Sequence, residues 1–430
     1  MANVKSAPLA AAEVVLAHTD IIVLGAGVVG TSVALHLAKR GMAVALIDSQ
    51  GPGEGTSYGN AGIIEGNTVF PPAFPSKLVE LLRIALKRSP IANYHVAYLP
   101  RILPWLLAFR AASRPGPLLE TAQLMRPLMA RAVSEHEALA AEAGAERHFS
   151  RRGWLKLYRT EAAVAALTPE LEIAARFGIA NVLLDRDAAL ALEPALNGVF
   201  RHAVHWTGAV SIDNPLALTQ AYAARFAELG GLMSTGDART LHRAEPYWRV
   251  DTASGPIDAR DVVIALGPWA ADIVAPLGIK LPFAVKRGYH RHYRPHGNAR
   301  LSRPVLDTEN GYVLAPMEQG IRITTGVEFA ARDARPTPVQ FDRLLPAARE
   351  LFPLGEPVEV KPWLGARPCF PDSRPVIGRA PRQRGLWLAY GHAHWGLTLG
   401  PVTGRLIAEM MTGTTPFCDP KPYGAERFMR

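Results

Sequence analysis

The chain has 430 residues, 49% of them hydrophobic, and it carries a formal net charge of +9 with a pI near 9.7. This length and composition allow a large core divided between two domains, and they exclude a disordered or fibrous protein. Only two cysteines are present, which excludes a disulfide framework or a spaced metal pair and predicts a reducing compartment. The arginines are scattered without interleaved aromatic residues, so we expect no nucleic-acid partner.

Residues 1–18 contain Glu13 and only short apolar runs, which predicts a frayed extension rather than a signal peptide. No stretch reaches about 18 uncharged apolar residues, so we expect no membrane-spanning helix. The segment Tyr98–Arg110 has apolar residues beside two arginines: Trp105, Leu106, Leu107 and Phe109 beside Arg101 and Arg110. This pattern predicts a cytoplasmic protein with peripheral contact to the inner face of the membrane. The alternative is a helix packed against the rest of the protein.

The short apolar run Ile21–Leu24 predicts a buried parallel strand, and a glycine-rich turn follows it. Glycines at this spacing between a strand and a helix permit a sharp turn, close approach of a pyrophosphate and close helix packing. Asp48 ends the next strand, where its carboxylate can accept hydrogen bonds from ribose hydroxyls. The predicted dinucleotide contacts are Gly25, Gly27, Val28, Val29, Gly30, Asp48 and Ser49. The alternative is a glycine-rich turn without a ligand.

Residues 51–64 are rich in glycine and small side chains, so no regular element is expected there. A loop of this length and content indicates backbone that approaches a ligand closely. The predicted contacts in the loop are Thr56, Ser57, Asn60, Ala61 and Gly62. The alternative is a flexible surface connection.

Helical spacing over residues 76–88, 101–112 and 118–143, interrupted by prolines, predicts a helical insertion. From Gly153 the pattern changes to strand alternation, as in Trp154–Tyr158, which predicts a second domain with an antiparallel sheet. The pattern of residues 214–229 predicts a helix with Asp213 or Asn214 as its N-cap.

The chain then returns to the nucleotide domain through the apolar run Val262–Ala265. Gly267 and Trp269 follow this run, and we expect their backbone to pass over the same ligand. The alternative is a plain turn at the end of a strand. Further strands are predicted at residues 285–293, 312–315, 321–328 and 386–390, followed by a helix from about Pro401 to Met411.

In their order, these motifs resemble the FAD-dependent D-amino-acid oxidase and glycine oxidase family, most closely its bacterial D-amino-acid dehydrogenase branch. The resemblance covers roughly residues 19–412 and rests on the glycine turn with Asp48, the loop 56–62, the strand 262–269, and the segments 363–378 and 391–400. It implies an α/β fold in which a Rossmann-type FAD-binding domain is interleaved with an α+β substrate domain on a mixed antiparallel sheet. Cys369 does not match the cysteine that attaches flavin in the sarcosine-oxidase branch, so noncovalent FAD is expected.

The predicted domain limits follow from these changes of pattern together with the resemblance. The FAD-binding domain takes residues 19–95, 213–280 and 361–415, the helical insertion takes 96–150, and the substrate domain takes 151–212 and 281–360.

The resemblance also assigns roles in catalysis. Arg367 matches the arginine that holds the substrate carboxylate, a role that suits the planar two-point contact of a guanidinium. The alternative is an ion pair between Arg367 and Asp372. Tyr312 and Tyr289 match strand positions that face the substrate, with half-buried structural aromatics as the alternative.

The segment 391–400 resembles the loop at the flavin edge, where backbone amides and a helix N-terminus favour the negative charge of reduced flavin. The implied contacts are Gly391, His392, Trp395, Gly396, Leu397 and Thr398, and His392 is also a catalytic candidate. His392 and His394 have no third ligand nearby in sequence, so no metal is predicted.

These features predict oxidative deamination of a D-amino acid by hydride transfer from Cα to flavin N5, giving an imino acid that water hydrolyses to a 2-oxo acid and ammonia. The expected partners are an amino-acid substrate and a quinone or another electron acceptor. One alternative is an oxidase or dehydrogenase of secondary amino acids such as sarcosine, proline or D-hydroxyproline. The other is a non-catalytic FAD-binding subunit.

Overall fold

The computed structural model of the protein describes residues 17–66 and 70–429. The predicted N-terminal extension lies outside these residues except for Ala17 and His18, which already belong to the first strand.

Strands supply most of the framework. In chain order they are β1 (Ala17–Leu24), β2 (Val44–Asp48), β3 (Ile63–Ile64), β4 (Ala92–Tyr94), β5 (Phe149–Ser150), β6 (Trp154–Tyr158), β7 (Val182–Asp185), β8 (His202–Trp206), β9 (Val210–Ile212), β10 (Leu232–Thr235), β11 (His242–Ala244), β12 (Tyr247–Thr252), β13 (Gly255–Ile264), β14 (Ala284–Pro295), β15 (Val305–Asp307), β16 (Tyr312–Met317), β17 (Gly320–Thr324), β18 (Val327–Phe329), β19 (Leu354–Pro357), β20 (Trp363–Cys369), β21 (Val376–Arg379) and β22 (Leu386–Tyr390).

Helices cover and connect the sheets. They are α1 (Val28–Ala38), α2 (Leu78–Ala85), α3 (Leu99–Ala112), α4 (Pro115–Glu142), α5 (Glu161–Ala165), α6 (Thr168–Arg176), α7 (Arg186–Leu192), α8 (Pro215–Glu228), α9 (Ala270–Val274), α10 (Val339–Leu351) and α11 (Gly396–Met411). None of them, within the described part of the chain, combines the length and hydropathy that a membrane span needs.

The first sheet has a Rossmann-type parallel centre. Eight of the described strands form it, in the order β10-β2-β1-β13-β12-β11, with β22 beside β13 and β21 beside β22. Neighbouring strands run parallel from β10 through β2, β1 and β13 to β22. Their carboxyl ends therefore share one edge of the sheet. Strands β2 and β13 lie on opposite sides of β1, and ligands bind at the edge where the strand order changes direction in this way.

The second sheet is mixed and larger. Its order is β4-β18-β14-β17-β16-β15-β6-β8-β7, and β19 and β20 also pair with β14, which makes eleven strands among the described residues. Most pairs are antiparallel, with β15–β6 and β18–β4 as parallel exceptions. A small third sheet has the order β3-β9-β5. The domain limits stay a prediction. Strand β4 pairs with β18 and β20 pairs with β14, so both belong to the large sheet, although both lie in segments predicted for the FAD-binding domain.

Several predicted elements are confirmed. The helical segments appear as α2, α3 and α4, and the strands at residues 154–158, 285–293, 312–315 and 386–390 appear as β6, β14, β16 and β22. Helix α8 begins after its predicted N-cap, since the Asn214 side chain accepts a hydrogen bond from the Ala217 backbone N–H at 3.0 Å.

Three predictions need correction. The strand expected at residues 321–328 is divided into β17 and β18 by a break at Thr325 and Gly326. Helix α11 begins at Gly396 rather than Pro401. Pro401 has no N–H for the Leu397 carbonyl oxygen, and His136 Nε2 donates to that oxygen instead at 2.6 Å, so the helix continues through the proline.

The third correction concerns the predicted membrane patch on α3. Trp105 and Phe109 are each only 6% exposed, so the prediction that they face a membrane is wrong. The same helix exposes Leu103 and Leu107. Spacing of three to four residues places side chains on one helical face, and Trp105 and Phe109 follow the buried Ile102 at this spacing.

Candidate active site

The functional site is a cavity of about 1120 Å³ at the carboxyl ends of the parallel strands, with walls contributed by both large sheets. Its first wall comes from the glycine turn, the end of β2 and the end of β13. Its second wall comes from β14, β20 and the segment before α11. A cavity of this size has room for a large ligand and a small one together.

The glycine turn forms a cradle that side chains would fill. Gly25 has a φ of +104°, and a Cβ atom there would lie 2.6 Å from the Ala265 carbonyl oxygen. Gly25, Gly27, Val28 and Val29 line the cavity as predicted. Gly30 does not line it, because a Cβ atom there would lie 1.8 Å from the Gly25 carbonyl oxygen. Gly30 therefore allows the close contact between helix and turn, and its contact with a dinucleotide stays a prediction.

Asp48 and Ser49 line the cavity at the end of β2. One Asp48 oxygen, Oδ2, accepts a hydrogen bond from the Ala26 backbone N–H at 2.6 Å, and Oδ1 accepts one from the Gln50 N–H at 3.0 Å. The carboxylate thus ties the glycine turn to β2 besides facing the cavity. Residues 235–239, which begin at the last residue of the neighbouring β10, also line the cavity. They were missed in the sequence, because only the parallel pairing of Thr235 with Asp48 brings them there.

The loop after β2 is ordered by side-chain hydrogen bonds. Ser57 Oγ accepts a hydrogen bond from the Val28 backbone N–H at 2.9 Å, and Thr56 Oγ1 donates to the Ala366 carbonyl oxygen at 3.0 Å. The cavity wall includes Thr56, Ser57, Asn60 and Ala61. Gly62 lies behind it with a φ of +72°, where a Cβ atom would lie 2.1 Å from the Ile212 carbonyl oxygen. The loop therefore joins the glycine turn to β20.

Gly267 and Trp269 line the cavity after β13. His392, Gly396 and Leu397 line it at or just before the start of α11. Three predicted contacts of that segment lie behind the wall: Gly391, Trp395 and Thr398. A Cβ atom at Gly391 would lie 2.2 Å from the Phe370 ring, Trp395 is 1% exposed, and Thr398 Oγ1 donates to the Ile63 carbonyl oxygen at 3.2 Å. They shape the segment, and their contact with the flavin stays a prediction.

Arg367 borders the cavity on β20, as predicted. Its Nη1 donates to the Gly326 carbonyl oxygen at 3.0 Å and its Nη2 to the Thr325 carbonyl oxygen at 3.2 Å, both at the break between β17 and β18. No carboxylate pairs with it anywhere in residues 17–66 and 70–429, and Asp372 pairs instead with Arg374 and Arg427. A guanidinium has more N–H donors than these two. Arg367 is therefore held in place with donors and charge available to an anion.

The two predicted tyrosines occupy different positions. Tyr289 lines the cavity, but its hydroxyl donates to Glu328 Oε2 at 2.8 Å and accepts a hydrogen bond from the Thr337 N–H at 2.7 Å. Its hydroxyl is thus committed to the protein interior. Tyr312 is buried outside the cavity wall, with its hydroxyl donating to the Ala347 carbonyl oxygen of α10 at 3.1 Å. This corrects the expected position of Tyr312, whose side of β16 faces the core under α10.

Histidines border the cavity without forming a metal cluster. His392 Nε2 lies 3.0 Å from Thr403 Oγ1, and burial lowers the pKa of His392 to about 3. Burial also lowers the pKa of His394 to about 3, and the positive charges of Arg367, Lys286 and Lys156 lower it further. Among the described residues, two other groups have ligand atoms close enough for a metal: His290, His292 and Glu359, and His148, Asp213 and Glu318. Neither group borders the cavity, and the absence of a metal from the active site stays a prediction.

Two lysines of the cavity wall were also missed in the sequence. Lys286 of β14 lies opposite Arg367 in the strand register, and Lys156 of β6 pairs with Glu170 at 2.9 Å. A period-two pattern does not reveal which strand face borders a cavity, so no local signal identified them.

The observed wall fits FAD. Glycines leave room for a diphosphate at the N-terminus of α1, and the Asp48 carboxylate is a suitable acceptor for ribose hydroxyls. The N-terminus of α11, at Gly396 and Leu397, adds a second positively polarised helix end to the same cavity.

Comparison with known proteins agrees with this geometry. Residues 20–410 match a family model described as DAO, FAD dependent oxidoreductase. The chain is 30% identical over 423 residues to a D-amino-acid oxidase of Bradyrhizobium diazoefficiens, covering 95% of this chain and 99% of that protein. It is 31% identical over 430 residues to D-amino acid dehydrogenase 2 of Ralstonia nicotianae, covering 95% and 100%. Among solved structures, glycine oxidase from Geobacillus kaustophilus is similar with a TM-score of 0.73 at 24% identity, covering 96% of this chain and all of that chain.

The family match extends over nearly the whole chain, and the similar structure has the same fold over nearly its full length. The predicted family, the α/β fold class and FAD as the cofactor are confirmed. The chain therefore belongs to the DAO family of FAD-dependent oxidoreductases.

Proposed function

We propose that the protein oxidises D-amino acids to 2-oxo acids and ammonia. The observation that carries this proposal is the Arg367 guanidinium, which borders the cavity without a carboxylate partner in the described chain. An α-carboxylate of the substrate would complete its hydrogen bonds in the planar geometry that a guanidinium favours. The D configuration is supported by the names of two relatives of nearly equal length, a D-amino-acid oxidase and a D-amino acid dehydrogenase.

In this proposal the protein acts mainly by positioning the substrate. Arg367 binds the carboxylate and so fixes the orientation of Cα, which lowers the entropic part of the barrier. Bound FAD supplies a two-electron acceptor that takes hydride from carbon. As the hydride leaves Cα, the lone pair of the neutral amine forms a carbon–nitrogen double bond, and the product iminium is hydrolysed by water. His392 and His394 are weak bases here, since burial lowers the pKa of each to about 3.

We further propose that the electrons pass to a quinone at a membrane surface. Helix α2 supports this idea, because it has no buried residue and exposes Leu78, Val79 and Leu82 at 70%, 64% and 52%. Leu86 follows at 62% exposure, and the basic residues Arg83 and Lys87 lie in the same stretch. An apolar helical face beside cations is what binding to an anionic interface requires.

The test is anaerobic mixing of the FAD-loaded protein with a substrate panel, followed by reoxidation. We expect D-amino acids to bleach the flavin absorbance and L-amino acids to leave it unchanged. Faster reduction by sarcosine, proline or D-hydroxyproline would favour the alternative of secondary amino acids. No bleaching with any compound would favour a non-catalytic FAD-binding subunit. Reoxidation by a soluble quinone but not by air would support the dehydrogenase, and equal rates would support an oxidase.

A further inference from the structure

Lys286 lies beside Arg367 in the wall of the cavity. Strands β14 and β20 are antiparallel neighbours, and Lys286 and Arg367 are directly paired in their register. Residues paired across an antiparallel ladder present their side chains on the same face of the sheet. Both line the cavity, so two cationic side chains border one site.

Lys286 and Arg367 differ from the three other cations of the wall in having no acidic partner among the described residues. Lys156 pairs with Glu170 at 2.9 Å, Arg332 with Asp272 at 2.6 Å and Arg239 with Asp237 at 2.7 Å. Throughout the part of the chain that the structure describes, no aspartate or glutamate forms an ion pair with Lys286. The Lys286 ammonium is therefore available to pair with an anionic group of a ligand.

The described groups that contact Lys286 or shift its pKa carry no negative charge. From α3, the rings of Phe109 and Trp105 lie with their centroids 4.0 and 5.0 Å from Lys286 Nζ. From β20, burial raises the pKa of the Cys369 thiol, which therefore stays protonated and neutral. The remaining neighbours are Arg367, which is cationic, and His394, which is neutral.

Such an arrangement is costly without a ligand. Burial lowers the pKa of Lys286, and the positive charge of Arg367 lowers it further. The aromatic rings stabilise the ammonium by cation–π contact, but two neighbouring cations without an anion repel each other. A substrate with a single carboxylate brings one negative charge to these two cations. A ligand with a second anionic group would neutralise both.

From this geometry we infer that the active site selects amino acids with an acidic side chain, with Arg367 binding the α-carboxylate and Lys286 binding the side-chain carboxylate. The inference rests on the proposed oxidation of amino acids and names the substrate class for that same cavity.

The experiment compares acidic substrates with their neutral amides of nearly equal shape. The catalytic efficiency, kcat/KM, is measured for D-glutamate against D-glutamine and for D-aspartate against D-asparagine. We expect the acid to be preferred at least about tenfold, and Lys286→Met to lower kcat/KM for the acid about 30-fold more than for the amide. Lys286→Arg, which keeps the charge, should retain most of the preference. An amide preferred over its acid, or equal losses on both in Lys286→Met, would overturn the inference.

A binding measurement separates this inference from the proposed function. Glutarate and its monoamide, which lack the amine and cannot be oxidised, are titrated into the FAD-loaded protein while thermal unfolding is followed. Glutarate should raise the midpoint more than the monoamide does, and this difference should vanish in Lys286→Met. If glutarate behaves so but no amino acid bleaches the flavin, the dianion site stands and the proposed oxidation fails. If amino acids bleach the flavin but glutarate and the monoamide act alike, the dianion site fails. Lys286→Gln serves as a second neutral variant, and loss of bound flavin from both neutral variants would assign Lys286 to the cofactor and overturn the inference.

Discussion

Arg367 and Gly288 lie against each other on the neighbouring strands β20 and β14, and a Cβ atom at Gly288 would be 2.8 Å from Arg367 Cζ. Because Gly288 has no side chain, the guanidinium fits against it while donating to the carbonyl oxygens of Thr325 and Gly326. The contact involves the far end of a flexible side chain, so an added methyl group would move the guanidinium at little cost to folding.

Gly288→Ala should therefore impair substrate binding without unfolding the protein. A displacement of about 1 Å in a positioning group can reduce catalytic efficiency up to about 100-fold. We expect kcat/KM to fall by about 10- to 100-fold while the FAD content and the unfolding midpoint stay near those of the unmodified protein. Gly208→Ala is a matched control, since a Cβ atom there meets nothing within 4 Å. Unchanged kcat/KM in Gly288→Ala would mean that the position of this guanidinium is unimportant.

Arg367→Lys tests the anchor itself. A lysine keeps the charge but loses the planar two-point contact, and we expect a loss of about 2 to 4 kcal/mol in transition-state stabilisation. The ratio of kcat/KM values measures this loss, and the flavin absorbance reports whether FAD stays bound. Arg176→Lys, at an exposed position of α6, provides the control. Wild-type efficiency in Arg367→Lys would show that the arginine is structural.

The flavin should be released by acid precipitation. A covalent link to cysteine requires a reactive thiolate, whereas burial raises the pKa of Cys369 and raises that of Cys418 to about 11. Both thiols therefore stay protonated near neutral pH. We expect all of the yellow colour in the supernatant after precipitation with trichloroacetic acid. Colour that remains in the washed precipitate would contradict noncovalent binding.

Buried histidines should make the protein sensitive to acid. Burial lowers the pKa of His36, His136, His290, His392 and His394 from 6.5 to about 3, 4, 2, 3 and 3. Between these values and 6.5 the unfolded chain binds more protons than the folded one, so stability falls as pH falls below 6.5. Each histidine contributes up to about 1.4 kcal/mol per pH unit over that range.

The free energy of unfolding, measured in urea between pH 7 and pH 4.5 at constant FAD concentration, should decrease with a slope that steepens below pH 6.5. His290→Phe should make this slope shallower, because a phenyl ring binds no proton, and the ring can keep the stacking on Trp363. A free energy of unfolding that is constant over this range would refute the account.

Binding of α2 to membranes can be tested by flotation with anionic liposomes at low and high salt. Leu82→Asp places a charge on the exposed apolar face and should reduce the floating fraction strongly. Val360→Asp, at a position that is 89% exposed elsewhere on the surface, should leave it unchanged. Equal flotation of the two variants, or no flotation of the unmodified protein at any salt concentration, would remove α2 as a membrane contact.

Local patterns predicted much of the cavity wall. The glycine turn, Asp48 and the loop 56–61 are contiguous signals, and each reaches the cavity. The resemblance added Arg367, which no local pattern distinguishes from other arginines. Long-range pairing decided the rest. Lys286 reaches the site because β14 pairs with β20, and Tyr312 leaves it because its side of β16 packs under α10. Gly391, Trp395 and Thr398 lie one layer behind the wall, a distinction that depends on packing and not on sequence spacing.

Helices α1 and α11 cross so closely that a Cβ atom at Gly404 would lie 2.5 Å from the Ser32 carbonyl oxygen, and one at Gly400 would lie 3.0 Å from the Val28 side chain. The N-terminus of α1 follows the glycine turn, and the N-terminus of α11 borders the same cavity. Backbone contact leaves neither helix free to slide past the other. The spacing between the two polarised helix ends is thus fixed by the packing of α1 against α11. A ligand that contacts both ends has to match this spacing.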